Sequence, residues 1–387
     1  MNFTRNRVLR AAATPVVVTA FVAGGCSHGS PTSSSSSRPT QGASLASKCP
    51  AVLNTAKRAV AHAEDVNAPW DGPTSGPRAV AGKSIVYVAE TMINPGVAST
   101  AKAVQEAGRA IGWDVRVIDG QGTPAGIQAA FGQAVALNPS GIVVGGFDPN
   151  SATQQVKQAN DGHIPIIGWH ATASPGPSAN PKLFTNITTR VEDVARITAY
   201  WIIVESNGNA GAVIFTDSSV PFAANKAQLI KKALLTCSGV KVLSYENIPI
   251  PDAGSRTPQE VSSLLSRFGD RWTHSAAIND LYFADAAPAL RGAGKKGDDA
   301  PFSIGAGDGD PSAFERIREK QFQAATVPEP LNQQGSQIID EFNRAFAGRP
   351  ASGYVAPVHL ITPRTVDDTT SWDPPGYRAA YKRIWGV

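Results

Sequence analysis

Polar and aromatic side chains stand where apolar segments of the sequence end and helix-like segments begin. Amide and carboxylate groups hydrogen-bond the hydroxyl groups of small solutes, and aromatic faces stack on them. Asn and Asp also favour such positions as turn formers and helix caps, so each residue alone has a structural interpretation as well. Together they indicate a binding site for a hydroxylated solute, with the candidates Asn94, Trp169, His170, Ser218, Asn279 and Asp308.

Motifs for catalysis, nucleotides and metals are missing from the sequence. It has no G-x-x-x-x-G-K-[ST] loop, and no dinucleotide-binding fingerprint follows a predicted strand. Its 6 histidines never fall four residues apart on one predicted helix, and there is no Cys-x-x-Cys pair. We also see no nucleophile paired with a base among the candidates. The sequence therefore predicts no cofactor, no metal and no enzymatic activity.

An alternation of strands and helices that begins at Ser84 would position the candidate side chains. Its strands are apolar and β-branched, as expected for parallel strands buried on both faces. Pro221, Pro258 and Pro311 are each predicted to open a helix, because proline suits the first helical position. The predicted strands are 84–89, 114–118, 141–145, 164–168, 212–215, 241–245, 275–278 and 302–305.

The alternation runs in two successive series, one before and one after Asn186. This predicts an α/β fold with two similar doubly wound parallel-sheet lobes, because right-handed crossovers place helices on both faces of each sheet. In open parallel sheets, ligands bind in the crevice beyond the carboxyl ends of the strands. Since the candidates come from both series, we expect the site to lie between the lobes.

The amino-terminal segment predicts export and surface attachment. Three arginines precede the apolar stretch 11–22, which is built like a secretory signal and is too short to span a bilayer as a mature helix. The small residues before Cys26 resemble a bacterial lipobox, which makes 1–26 a lipoprotein signal and Cys26 the lipidated residue. An ordinary cleaved signal is the alternative. The Ser-rich stretch 27–48 then reads as a flexible tether.

Two cysteines, Cys49 and Cys237, remain after Cys26 is set aside. In an oxidising compartment they could form a disulfide, and the alternative is two unpaired buried thiols.

Between the tether and the first strand, residues 49–83 predict a helix followed by an extended loop around Trp70 that packs on the lobes.

Composition excludes other classes of protein. The chain has 387 residues, of which 42% are hydrophobic and 17% charged, so a disordered chain is excluded. Its net charge is +4, from 35 basic and 31 acidic residues, without a long run of either sign. A nucleic-acid-binding protein is therefore not expected.

The strand and turn motifs resemble those of the type I solute-binding proteins of ABC sugar importers, the ribose-binding-like group. Residues 85–88 followed by Asn94-Pro95 resemble that family's opening strand and its sugar-contacting Asn. Asn279-Asp280, Asp308-Gly309 and 326–334 resemble its second-lobe and hinge motifs, and the similarity spans 84–362. Regulators of the lactose-repressor type share the fold, but they carry a helix-turn-helix where this chain has a signal and Cys26.

The resemblance also implies roles for individual residues. Asn94, Asn279 and Asp308 match ligand-contacting positions, Glu329 matches a polar hinge residue, and Asn225 or Lys226 falls near a second-lobe arginine. The family's Asp-Arg pair appears here as His170-Ala171, and its stacking aromatics appear as Gly96-Val97. This difference favours another sugar, a polyol or a less polar solute over a simple pentose. His170 equally fits a buried core histidine. The candidates to replace the lost groups are Trp169, His170, Phe222 and Tyr282.

The same resemblance implies lobes that are discontinuous in sequence. Lobe 1 would comprise 84–187 with 328–356, and lobe 2 would comprise 188–327 with 357–387, joined by a three-segment hinge near 186–189, 327–329 and 355–358. A ligand that touches both lobes only when they are shut shifts the population toward closure.

The implied protein is a monomeric, lipid-anchored receptor on the outer face of the cell membrane. It would deliver a carbohydrate-like solute to an ABC permease with its ATPase subunits. The alternative is a sensor that passes the closed state to a membrane kinase or chemoreceptor by the same binding physics.

Overall fold

The computed structural model describes residues 47–65, 69–368 and 370–387, which belong to one compact unit. The predicted signal 1–26, the lipidation at Cys26 and the tether up to residue 46 lie outside the described residues. In the described ranges, none of the helices has the length and apolar character needed to cross a bilayer.

Lobe 1 is built on a six-stranded sheet with the order β2-β1-β3-β4-β6-β5. All neighbouring strands pair in parallel except β5, which pairs antiparallel with β6. The strands are β1 (Ser84–Ala89), β2 (Asp114–Asp119), β3 (Gly141–Gly145), β4 (Ile166–Trp169), β5 (Gly176–Ala179) and β6 (Lys182–Ile187). The helices in this part of the chain are α2 (Pro95–Ala110), α3 (Pro124–Ala136) and α4 (Thr153–Asp161).

Lobe 2 is built on a five-stranded parallel sheet with the order β11-β10-β9-β7-β8. The strands are β7 (Ala210–Thr216), β8 (Val240–Asn247), β9 (His274–Ala277), β10 (Phe302–Gly305) and β11 (Ala325–Thr326). The helices are α5 (Val191–Glu205), α6 (Pro221–Leu234), α7 (Ala253–Phe268), α8 (Leu281–Gly292) and α9 (Pro311–Arg318). The prediction of two parallel-sheet α/β lobes is confirmed.

Helix starts follow from local sequence at most positions. Pro221 and Pro311 open α6 and α9, and Asp310 caps α9 by accepting hydrogen bonds from the amides of Ser312 and Ala313 at 2.9 and 3.2 Å. The prediction for Pro258 is wrong, because it lies inside α7. The helix begins before Pro258 because it continues directly from a 3-10 turn at residues 250–252. The first amide of that turn, the one of Ile250, donates to Asp217 and holds the turn in place.

The helix before the first strand, α1 (Pro50–Ala63), packs against α5 of lobe 2 through Leu53, Ala56 and Val60. The structure bonds Cys49 to Cys237 in a disulfide with the two Cα atoms 5.1 Å apart. The amino end of α1 is therefore tied covalently to lobe 2. The loop around Trp70 packs instead on Tyr354 and Tyr381.

The chain passes between the lobes beside the cleft. The first two crossings are segment 188–190, after β6, and segment 327–330, after β11. The third is the stretch after α10 (Leu331–Phe346), which has returned to the core of lobe 2 at Leu360. The assignment of 357–387 to lobe 2 is wrong in its last part. Helix α11 (Tyr377–Trp385) packs in the core of lobe 1, where the indole N–H of Trp385 donates to Asp340 of α10 at 3.0 Å.

Candidate functional site

A small cavity of about 40 Å³ lies between the lobes, beyond the carboxyl ends of the strands of both sheets. Residues that follow β1, β3, β4, β9 and β10 meet there, together with the first turns of α6. The parallel strands thus bring side chains that are far apart in sequence to one place. The lining is Glu90, Asn94, Gly146, Trp169, His170, Val220, Phe222, Ala223, Lys226, Ile250, Ile278, Asn279 and Asp308.

An amide and carboxylate chain joins the lobes across the cavity. Asn279 Nδ2 donates to Asp308 Oδ2 at 2.6 Å and to Asn94 Oδ1 of the other lobe at 3.2 Å. Asn94 also caps α2 by accepting from the amide of Gly96 at 3.0 Å. The capping interpretation and the binding interpretation of Asn94 are therefore compatible.

Asp280, next to Asn279, holds the loop that carries Asp308. Its carboxylate accepts from the amide of Gly309 at 2.7 Å, from Gln323 Nε2 at 2.5 Å and from the Thr326 hydroxyl at 3.1 Å. These contacts fix the loop after β10 against β11. Asp308 is consequently presented to the cavity by a rigid support.

Three aromatic rings form a stack that also crosses the cleft. Trp169 and His170 lie with ring centroids 4.0 Å apart, and His170 and Phe222 of lobe 2 lie 4.7 Å apart. Trp169 is fixed from behind, because its indole N–H donates to Gln334 Oε1 at 2.7 Å. The imidazole of His170 therefore fills the space between an aromatic face of each lobe.

Glu329 connects this stack to the segments that link the lobes. Its carboxylate accepts from the Thr189 hydroxyl at 2.6 Å and from Gln334 Nε2 at 2.7 Å, and it lies 3.5 Å from His170 Nε2. The last distance is too long for a good hydrogen bond, so His170 Nε2 lies beside the carboxylate without a hydrogen-bond partner among the described residues. Burial alone would raise the pKa of Glu329, but the neighbouring His170 and Lys226 lower it to about 2. Glu329 is therefore a buried anion.

Lys226 places a buried amino group in the cavity lining. Its Nζ donates to the carbonyl oxygens of Ala306 at 2.5 Å and Ile278 at 3.3 Å, at the ends of β10 and β9. Burial lowers its pKa, while the carboxylates of Asp308 and Glu329 oppose that effect. For Asp308 the two effects have opposite directions: burial raises its pKa, and the neighbouring His170 and Lys226 oppose that rise.

The structure brings six of the predicted contact residues into the cavity lining: Asn94, Trp169, His170, Phe222, Asn279 and Asp308. Glu329 lies directly behind His170. Tyr282 is buried outside the lining, where its hydroxyl donates to the Ile248 carbonyl at 2.6 Å. Ser218 is exposed, and its amide donates to Asn247 Oδ1 at 2.8 Å.

Two lining residues with ionisable side chains were absent from the predicted contacts or left undecided. Lys226, and not its neighbour Asn225, points into the site, because one residue on a helix turns the side chain by about 100°. Glu90 was missed, although it directly follows the strand Ser84–Ala89 and so obeys the strand-end rule that selected Asn94. Asn225, Ser218 and Tyr282 are corrections to the sequence-based set of lining residues.

A larger cavity of about 320 Å³ opens on lobe 2 beside Trp201 and Phe302. Its lining comes from lobe 2 alone, so it lacks the cross-lobe contacts of the cleft.

Among residues 47–65, 69–368 and 370–387, no group of three or more His, Cys, Asp or Glu side chains is arranged to hold a metal ion.

Comparison with known families places this geometry in context. The family described as "Periplasmic binding protein domain" matches residues 85–350, which cover both sheets and the whole cavity lining. The chain belongs to the periplasmic binding protein family. A comparison with curated proteins finds no match.

Solved structures share the fold at low sequence identity. A galactofuranose binding protein has a TM-score of 0.63 and 14% identity, over 79% of this chain and 99% of its own. An arabinose-transporter binding protein from Shewanella sp. ANA-3, bound to arabinofuranose, has a TM-score of 0.64 and 15% identity, over 78% and 95%. A solute binding protein from Agrobacterium vitis with bound allitol has a TM-score of 0.62 and 18% identity, over 74% and 97%.

Proposed function

We propose that the chain is the extracytoplasmic substrate-binding component of an ABC importer that takes up a sugar, polyol or related hydroxylated solute. The observation that carries the proposal is the cross-lobe cavity, where the amide and carboxylate chain of Asn94, Asn279 and Asp308 meets an aromatic stack. Hydroxyl groups pair with such amides and carboxylates, and sugar rings stack on aromatic faces.

Binding works by separation and closure of the lobes. A 40 Å³ cavity has room for only a few water molecules, so a sugar-sized solute requires the Asn94–Asn279 contact to open. The solute then replaces that contact with its own hydroxyl groups and bridges the lobes. Two of the linking segments are joined by the hydrogen bond that the Thr189 hydroxyl donates to Glu329 at 2.6 Å.

Attachment and partners follow from the rest of the chain. Cys26 carries the lipid, residues 27–48 form the tether, and the two lobes with their packed 49–83 segment form the receptor. The partners are a permease and its ATPase subunits, and the protein acts as a monomer. The solved relatives named for arabinose transport and for bound allitol support a carbohydrate or polyol ligand.

A thermal-shift screen of sugars and polyols tests the proposal. A ligand at 100 times its Kd adds about 2.7 kcal/mol to the free energy of unfolding. The Asn279→Ala variant should lose the shift, because it removes the donor shared by both lobes. Ser218→Ala, near the cleft but outside the lining, is the matched control and should keep it. The proposal fails when no sugar or polyol changes the melting temperature.

A further inference from the structure

We propose that the cleft selects a hydroxylated solute that carries a primary amine, an amino sugar or amino polyol, and that Glu90 holds its ammonium group. The inference rests on the proposed function of the cleft and names the ligand class more closely. It starts from a carboxyl group in the lining that has no partner in the protein.

Glu90 is buried but open to the cavity. Its side chain is 6% exposed, it belongs to the cavity lining, and it accepts no hydrogen bond from any residue that the structure describes. Its backbone is fixed, because its amide donates to the Gly145 carbonyl at 2.8 Å. Gly146, which has no side chain, lies next to Glu90 in the same lining, since a Cβ built there would contact Glu90 Oε2 at 3.6 Å. The carboxyl therefore faces a space that a ligand group can enter.

The neighbouring carboxyl groups are already paired. Asp217 accepts from the amides of Ser219 and Ile250 at 2.8 and 2.9 Å. Glu329 is paired with Thr189, Gln334 and His170, and Asp308 accepts from Asn279 and lies in the field of Lys226. Glu90 is the carboxyl group of this cluster that lacks a donor.

The basic side chains of the lining, Lys226 and His170, make their contacts with other groups than Glu90. Lys226 directs its Nζ to two carbonyl oxygens, and His170 lies against Glu329. Four carboxyl groups thus face one lysine and one histidine. Burial, followed by the negative charges of Asp217 and Asp308, raises the pKa of Glu90 to about 8. A cation brought in by the ligand relieves this excess of negative charge.

A primary ammonium group supplies both the positive charge and the hydrogen-bond donors that Glu90 lacks in the protein. It has three donors and no acceptor, and charge-assisted bonds to a carboxylate are about twice as strong as neutral ones. The remaining hydroxyl groups of such a solute would pair with Asn94, Asn279 and Asp308. A neutral sugar offers Glu90 only hydroxyl groups, so Glu90 keeps its proton at pH 7 and no charge-assisted bond forms.

Matched ligand triads on the purified protein test the inference. Each triad holds an amine, its parent alcohol and its N-acetyl amide: galactosamine, galactose and N-acetylgalactosamine; glucosamine, glucose and N-acetylglucosamine; and glucamine with sorbitol and N-acetylglucamine. Calorimetry at pH 7 should give one amine with a Kd at least about tenfold lower than both of its partners. Glu90→Gln should remove that preference, and Glu192→Gln, the same change on an exposed position of α5, should keep it.

Proton release provides a second readout. Because the pKa of Glu90 is raised to about 8, ammonium binding should release its proton to the buffer at pH 7. The apparent binding heat should then depend on the buffer's ionisation enthalpy in the wild type and not in Glu90→Gln. Asp217, Asp308, Lys226 and His170 face the same group and are unchanged in both proteins.

The outcomes separate this inference from the proposed function. When neutral sugars bind as tightly as their amines, the amine assignment is overturned and the function stands. A preference that survives Glu90→Gln overturns the role of Glu90. Binding of neither class overturns the proposed function, and the inference falls with it.

Discussion

Replacing Lys226 by methionine tests the charge balance of the cleft. Lys226 is 2% exposed, and its Nζ donates to the carbonyl groups of Ile278 and Ala306. Methionine keeps most of the side-chain volume but leaves both carbonyl groups without this donor. It also leaves the carboxylates of Asp308 and Glu329 without their buried cation. Removing one partner of a buried charge set costs about 3 to 5 kcal/mol, which we expect as the loss in free energy of unfolding.

Urea unfolding at pH 7.5 and pH 5 measures this loss. It should be smaller at pH 5, because burial already raises the pKa of Asp308 and its protonation removes one uncompensated charge. Lys232→Met is the matched control, since Lys232 is an exposed residue of the same helix, and it should change stability by less than about 0.5 kcal/mol. Equal effects of the two substitutions at both pH values would refute the reasoning.

Two further predictions concern stability outside the cleft. The double variant Cys49→Ser with Cys237→Ser opens a loop of 188 residues, and we expect a loss of about 2 to 5 kcal/mol in urea unfolding; an unchanged midpoint, matching that of the oxidised wild type, would contradict it. His359 is buried against Trp372, and burial lowers its pKa from 6.5 to about 4. The unfolded chain therefore binds more protons below pH 6.5, and the wild type should lose up to about 3 kcal/mol from this group as the pH falls to 4. His359→Phe should lose less stability over that range, and parallel pH curves for the two proteins would show the attribution to be mistaken.

The sequence by itself predicted the alternation of strands and helices, because buried parallel strands require continuous apolar segments and the helices between them require a different period. It also predicted that residues after the strands would meet, since strand ends in parallel sheets share one edge. Asn94, Asn279 and Asp308 were found in this way. The same rule applies to Glu90, which stands where an Asn or Asp would have been selected as a turn former.

Tertiary structure decided the points that depend on orientation. Asn225 and Lys226 are neighbours on one helix, and only the angle at which α6 meets the cleft determines which of them faces it. Tyr282 follows a strand end as Asn279 does, yet its ring turns into lobe 2 and its hydroxyl reaches Ile248.

Contacts between residues far apart in the sequence also determined features that a local sequence pattern cannot predict. The C-terminal helix α11 joins lobe 1 because Trp385 reaches Asp340, a partner 45 residues earlier in the chain. The pairing of Cys49 with Cys237 depends on α1 lying along α5, which brings their Cα atoms to 5.1 Å. The sequence therefore determined the elements and the edge at which they meet. The fold decided which side chains face the cleft, because that choice depends on the rotation of whole elements against each other.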